Sequence, residues 1–361
     1  MRALTLSLLA MILLAAAPAG ALDHLDKYAK QPAATPPPPA PLVVPVGGDT
    51  IEDALAILEL PFTDTGVTRE FNDDYDVRCF SESNSPDVVY SLLPDMDLVV
   101  DIDLCGSGYD TKVFVLDADL NEVACSDDYY QLDDPCGDWT SRLEFLPLMG
   151  GEVYYIIVDG WGGELGQYQI LVEETVPCLV ECPPLGILEG EEELHDGYVD
   201  YFNAGCYSDW AAPLDYLSVI EGQGDNQAVA CGIGGFWRDH PDFPLNPYWD
   251  DDWYVVHAST ERDGVSVTVE VEKSCFVYEI QLPDGTCDQG LILQTVIVRP
   301  CEPTEIVALG DGTQPIYFWI TGLFQTYPDY EFAYLLSFDG IEDAAVRTES
   351  RSWSSVKSLF D

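Results

Sequence analysis

Along this chain, apolar residues alternate with polar ones in runs of five to eight, and Gly, Pro and Asp punctuate the runs. A period of two puts successive side chains on opposite faces of a strand. The runs occur in one order, twice. Residues 87–174 hold Asp87 to Tyr90, Leu98 to Leu104, Thr111 to Leu116, Gly151 to Val158 and Gly166 to Val172. Residues 252–338 hold Asp252 to Tyr254, Val265 to Val271, Cys275 to Ile280, Gln314 to Ile320 and Tyr330 to Leu336. Repetition of one strand order predicts a duplicated module. Short strands at regular spacing predict an all-β fold, here two tandem antiparallel β-sandwiches. Val153 to Val158 is almost continuously apolar, as a central strand covered on both faces is.

The segments outside the strand runs divide the chain further. Residues 1–21 have the pattern of a secretory signal peptide: Arg2, an apolar stretch from Leu4 to Ala17, and Ala19-Gly20-Ala21 as a small-residue cleavage site. The stretch is shorter than the roughly 20 residues needed to span a bilayer. No membrane span is expected after it. Residues 22–46 form a linker, since Pro32, Pro36 to Pro39 and Pro41 favour extended polyproline structure. The first sandwich is expected over 47–174, with a lead-in strand or single turn in 51–60. The second is expected over 175–340, joined through Pro177, Pro183 and Pro184. Residues 203–250 are rich in Gly, Asp, Pro and Trp and read as a loop-rich insert. The tail, 341–361, places Trp353, Val356, Leu359 and Phe360 at helical spacing, which predicts a short amphipathic helix.

The charge narrows the class of partner. Against 65 Asp and Glu stand 14 Lys and Arg, a net −51. A nucleic acid is excluded as a partner, because no basic patch opposes phosphate repulsion. Three readings of the acidity stand side by side: solubility through self-repulsion, adaptation to salt, and binding of a divalent cation by carboxylate oxygens. Hydrophobic residues at 47% exclude a disordered acidic chain. The 11 Cys point to an oxidising compartment, and so to a secreted or cell-surface location. Closure of the nearest loops pairs Cys125 with Cys136, Cys79 with Cys105, Cys287 with Cys301 and Cys206 with Cys231. Each such bond contributes about 2–4 kcal/mol. Cys178, Cys182 and Cys275 remain, and one of them is expected to be a buried free thiol or an intermolecular partner.

Carboxylate-rich turns are the main candidates for chemistry. Asp49, Asp53, Asn72, Asp73 and Asp76 offer oxygens from two neighbouring loops and are the expected Ca²⁺ ligands, since Ca²⁺ takes six to eight oxygens. The other reading of these loops is a solvated acidic surface. Trp161, Trp237 and Trp249 fall in expected loops, where aromatic platforms serve sugar rings or extended peptides. Equally, such rings cap the ends of a sandwich core. No Gly-x-Ser-x-Gly elbow, His-Glu-x-x-His or phosphate loop occurs.

Asp87-Val-Val-Tyr90, Asp110-Thr-Lys-Val-Phe-Val115, and Gly151 through Val158 followed by Asp159-Gly160 and Gly166-Gln-Tyr168 resemble the bacterial pre-peptidase C-terminal domain. The likeness covers about 48–174. The copy at 252–338 is degenerate: it lacks the Asp-Thr pair and any counterpart of Asp159 to Gly163. The resemblance implies a jelly-roll-like sandwich, frequent Ca²⁺ dependence and an accessory rather than catalytic role. The expected function is a secreted or surface-displayed, calcium-stabilised binding module for polysaccharide or extracellular matrix protein. The alternative is a secreted hydrolase using dispersed carboxylates.

Overall fold

The period-two runs do become strands, and the buried residues follow that period. In β9 (Gln167–Glu174), Tyr168, Ile170 and Val172 are buried; in β15 (Gly264–Val271), Val265, Val267, Val269 and Val271 are. Each such side chain taken out of water contributes about 1.5–3 kcal/mol. In this computed structural model, residues 47–344 are described, apart from 78, 80–82, 133, 192–193, 196, 199, 201, 208–216, 238–247, 284, 288–289, 311, 324 and 327–330. The signal stretch, the Pro-rich linker and the expected tail helix lie outside the described residues.

The first module comprises β1 (Leu55–Ile57), β2 (Phe62–Val67), β3 (Val88–Leu92), β4 (Leu98–Asp103), β5 (Thr111–Leu116), β6 (Glu122–Ser126), β7 (Arg142–Leu148), β8 (Tyr154–Gly160) and β9. The second comprises β10 (Ile187–Leu188), β11 (Ser218–Val219), β12 (Gln227–Trp237), β13 (Tyr248–Trp249), β14 (Asp251–His257), β15, β16 (Cys275–Gln281), β17 (Leu291–Val298), β18 (Thr304–Leu309), β19 (Pro315–Gly322), β20 (Gln325–Thr326) and β21 (Glu331–Asp339). In the first, one sheet runs β1-β3-β8-β5-β6 and the other β2-β9-β4-β7. In the second, the corresponding sheets run β11-β14-β19-β16-β17 and β12-β21-β15-β18, with β10 added outside β12. Strand for strand, the order is the same.

Even an irregularity is repeated. The β5–β6 register slips between Val115 and Leu116, and the β16–β17 register slips between Glu279 and Ile280. Each slip leaves one extra residue, Val123 or Leu293, in the outer strand. A bulge is a designed bend rather than a defect, so its recurrence supports duplication beyond strand order.

Three features differ from the expectation. The sandwiches are not purely antiparallel: β1 pairs with β3, and β11 with β14, in parallel. In each case the intervening strand, β2 or β12, lies in the opposite sheet, so the chain returns in the same direction. The region 203–250 is not all loop, because β12 is an 11-residue strand paired along β21. Its sequence, with Gly232, Gly234 and Gly235, hides it from propensity.

The third difference is the disulfide framework, which runs Cys79–Cys125, Cys105–Cys136, Cys178–Cys301, Cys182–Cys231 and Cys206–Cys287. None of the four expected loop closures forms. The segment after β6 crosses from one sheet to the end of β4 in the other, where the Gly106 N–H donates to the Cys136 carbonyl at 2.6 Å. Cys136 therefore meets Cys105, and Cys125 meets Cys79 under the outer face of its sheet. Cys275 is the free, buried thiol. Five disulfides fit a chain that matures in an oxidising compartment. No helix among the described residues is long and apolar enough to cross a membrane.

The modules meet along a polar and aromatic seam. A β-bulge in β7 starts it: Val100 pairs with Leu146 and Ile102 with Leu143, so Glu144 and Phe145 oppose Asp101 alone. Phe145 takes φ 52°, and the Asp101 carboxylate holds its N–H at 2.8 Å. The bend aims Glu144 at the second module. Glu144 accepts from the Tyr129 hydroxyl of its own module at 2.5 Å and, across the seam, from the Ser274 hydroxyl at 2.9 Å and the Ser274 N–H at 3.0 Å. Arg299 reaches back to donate to the Tyr129 hydroxyl at 2.6 Å. Tyr129 and Tyr130 join the core of Trp253, Tyr278 and Trp319, and β20 pairs with β6.

Candidate cation site

Each module builds one polar knot inside its sandwich, and the two knots correspond. In the first, the Tyr90 hydroxyl on β3 lies 2.7 Å from the Tyr168 hydroxyl on β9 and donates to Asp64 on β2 at 3.0 Å. In the second, the Tyr254 hydroxyl on β14 lies 2.7 Å from that of Tyr334 on β21. Both donate to Glu189, at 3.1 and 2.8 Å. Across from each β9-type tyrosine stands a glycine: Gly66 opposite Tyr168, and Gly232 opposite Tyr334. A Cβ at either would sit 2.6 Å or less from the ring or hydroxyl, so only glycine admits the tyrosine there. Where β2 carries Asp64, β12 carries Ala230, and the acid comes instead from Glu189 at the end of the added strand β10.

Around that acid the second module gathers a cluster of carboxylates. Strand alternation at the start of β14 turns Asp250, Asp252 and Tyr254 to one side and Asp251 and Trp253 to the other. Asp251 accepts the Trp319 indole N–H at 3.0 Å, and Trp253 stacks on Trp319 with centroids 5.9 Å apart. On the inner side, Glu189, Glu191 and Asp252 offer carboxylate oxygens within 4.8 Å of one another. Glu191, Asp200 and Asp250 do the same. Glu191 is common to both groups and accepts the Tyr198 hydroxyl. Glu189 also accepts the Ile233 N–H at 2.5 Å. Asp250 and Asp252 are fully buried, and neither oxygen of Asp250 has a hydrogen-bond partner.

Burial drives the carboxyls of Asp250 and Asp252 well above the usual carboxylate range, and each is pushed further by its acidic neighbours: Asp250 chiefly by Asp252, Asp252 chiefly by Glu189. Burial raises Glu189 as well. A carboxylate taken out of water without a partner either binds a proton or needs a cation. All the donors are hard oxygens, the set that Ca²⁺ takes at 2.3–2.6 Å. Oxygens on opposite sides of such an ion lie about 5 Å apart, so oxygens within 4.8 Å of one another can share it.

A third acidic group lies in the first module. Asp110 precedes β5, Asp127 and Asp128 follow β6, and all three are buried with oxygens within 4.8 Å. The expected ligands Asp49, Asp53, Asn72, Asp73 and Asp76 lie apart from all three groups. Asp49 accepts the Asn72 N–H and side-chain amide, both at 2.6 Å. Asp53 caps its own turn through Thr50 at 2.7 and 3.0 Å, which lowers its pKa. Asp76 accepts the Ser83 N–H at 3.2 Å. Asp73 is exposed, its pKa raised by partial burial and then by Asp76 and Asp74. The loop is organised by Asp87, whose carboxylate takes the N–H groups of Asp74 and Tyr75 at 2.8 and 2.7 Å.

Of the three tryptophans, Trp161 lies in the first module, whereas Trp237 and Trp249 lie on the paired strands β12 and β13 of the second. Trp161 follows β8 and is half-buried, its N–H on the Asp110 carbonyl at 3.0 Å. Trp249 donates to the Leu323 carbonyl at 3.2 Å and lies against Phe236, with centroids 6.2 Å apart. The side chain of Trp237 lies outside the described residues. Sequence reading missed Glu189, Glu191 and Asp200. The signal that could find them is the alternation Asp250, Asp252, Tyr254, which sends two acids toward the core rather than to solvent.

No family model matches the chain, and no curated protein matches it in sequence. Among solved structures, the CUB1-EGF-CUB2 domains of rat MASP-1 align at 11% identity over 79% of this chain and 99% of that one, with a TM-score of 0.20. The vicilin from Solanum melongena aligns at 11% identity over 71% and 75%, with a TM-score of 0.15, and that from Capsicum annuum at 12% over 71% and 75%, with 0.17. Likenesses this distant assign neither family nor activity.

Proposed function

We propose that this chain is a secreted or surface-displayed, non-catalytic binding module whose second sandwich is stabilised by calcium, with polysaccharide or matrix protein as its target. The observation that carries the calcium part is Asp250: fully buried, with both oxygens unpartnered, among oxygens of Glu191 and Asp200. A cation there converts the most costly feature of the fold into a staple between β10, β14 and the loop that carries Asp200. The target class rests on the disulfide-bonded all-β scaffold and on the resemblance of 48–174 to pre-peptidase C-terminal domains. A glycan and matrix-protein array run with and without Ca²⁺ tests it.

Thermal unfolding tests the cation. Millimolar CaCl₂ should raise the midpoint, by the equivalent of about 2.7 kcal/mol at a hundredfold excess over the dissociation constant. MgCl₂ should do less, because Mg²⁺ demands a near-ideal octahedron. Asp250→Asn should lose the calcium increment, yet in chelator be at least as stable as the wild type, since it removes an unpartnered buried charge. The double variant Asp73→Ala, Asp76→Ala should keep the increment. An equal response to Ca²⁺ and to NaCl of the same ionic strength, or a full increment in Asp250→Asn, refutes the site.

A further inference from the structure

We propose that β17 is a self-association edge, pairing antiparallel with the β17 of a second copy of this chain. Among the described residues β17 is the outermost strand of its sheet and pairs with β16 alone. The corresponding strand of the first module, β6, is not left open: β20 crosses from the second module and pairs antiparallel with it, Gln325 opposite Ser126 and Thr326 opposite Cys125. The shared bulge fixes the correspondence. Cys125 and Ser126 lie opposite Phe114 and Val113, as Thr295 and Val296 lie opposite Tyr278 and Val277. Thr295 and Val296 thus hold, in the second module, the positions at which the first receives a strand.

The residues of this edge fit such pairing. Exposed edges are normally protected by charge, proline or a bulge. Gly290 to Val298 has the bulge at Leu293, as its counterpart β6 has one at Val123 and still receives a strand, but it has neither charge nor proline, in a chain with 65 Asp and Glu. Leu291 and Leu293 are 53% and 54% exposed, and Thr295 is exposed with them. Directly opposed residues of an antiparallel pair lie on one face of the sheet. Leu291 lies opposite Gln281 and Thr295 opposite Tyr278, so the bulge at Leu293 turns them to opposite faces, and a two-fold axis across two β17 strands keeps Thr295 of both copies on one face and Leu291 of both copies on the other. A strongly charged partner strand would find no counter-charge on this edge, whereas an identical strand meets its own pattern. Each copy carries a net −51, so repulsion opposes the contact and salt favours it.

Sedimentation velocity of the full chain, from low micromolar to hundreds of micromolar, tests this. The wild type should pass from monomer to dimer with concentration, and at lower concentration when NaCl is raised. Leu293→Lys with Thr295→Lys should need at least about tenfold more protein to dimerise, because lysine blocks edge pairing. Both positions are exposed, so the melting curve should be unchanged; Leu291→Glu provides a second variant should it shift. A wild type that stays monomeric at high concentration and high salt overturns the proposal. So does a lysine variant that dimerises like the wild type, or growth beyond the dimer, which a closed two-fold contact forbids.

Discussion

Glu144→Ala should lower the stability of the protein by about 3–5 kcal/mol, the cost of removing one partner from a buried charged network, and should split its unfolding into two transitions. Glu144 is almost completely buried and receives the Tyr129 hydroxyl together with the hydroxyl and N–H of Ser274. Alanine leaves the Ser274 N–H without an acceptor, and of the Tyr129 and Ser274 hydroxyls, 2.9 Å apart, only one can then donate to the other. It also removes a more distant counter-charge of Arg142, which keeps its ion pairs with Asp101 at 2.6 Å and Asp103 at 3.4 Å. Because the same atoms tie β7 to the turn before β16, the modules should then melt separately. Glu144→Gln keeps the shape and one acceptor and should cost less. Calorimetry of the three proteins decides; a single transition in the Ala variant, within about 1 kcal/mol of the wild type, rules out the seam as the coupling element.

Asp87→Asn should stabilise the calcium-free protein at pH 8 by up to about 4 kcal/mol and leave it nearly unchanged below pH 4, at 1.36 kcal/mol per pH unit of displacement. Burial pushes the Asp87 carboxyl from 3.8 up to about 7 despite two backbone N–H bonds. The folded-state pKa is raised, so the protonated folded form is favoured. The contribution of Asp87 is complete below the unfolded pKa near 3.8 and is lost as pH rises through about 7. Asparagine cannot ionise and still accepts both N–H groups. Chemical denaturation of the two proteins between pH 4 and pH 8 measures the difference. Parallel curves, with no divergence as pH rises, would show that Asp87 ionises normally under the 72–76 loop. Asp159, raised by burial and by Asp87 itself, titrates in the same neighbourhood, and Asp159→Asn serves to separate the two.

Strand positions were legible because a strand's face is written locally. Val265, Val267, Val269 and Val271 need no knowledge of the rest of the chain to declare an inner face, and the repeated order of such runs was enough to reveal two sandwiches. Strand β12 escaped because its glycines serve a contact with Tyr334 and Phe332 on another strand, and that contact is remote in sequence. The disulfides escaped for the same reason: sequence distance favours Cys125 with Cys136, whereas the crossing between sheets brings Cys136 to Cys105.

By itself, then, the sequence determined the all-β class, the duplication, the oxidising compartment and the excess of acid, all of which follow from composition and local period. Tertiary structure alone decided which acids are gathered out of water. Asp53 and Asp76 accept N–H groups of their own turn and loop, and Asp49 accepts that of Asn72, 23 residues on. Glu189, Glu191, Asp200, Asp250 and Asp252 come from segments up to 63 residues apart, and only the folding of β10 and β14 into one sandwich takes them from water together. Desolvation depends on what surrounds a group in space, and that is the one property of a carboxylate that its neighbours in sequence do not carry.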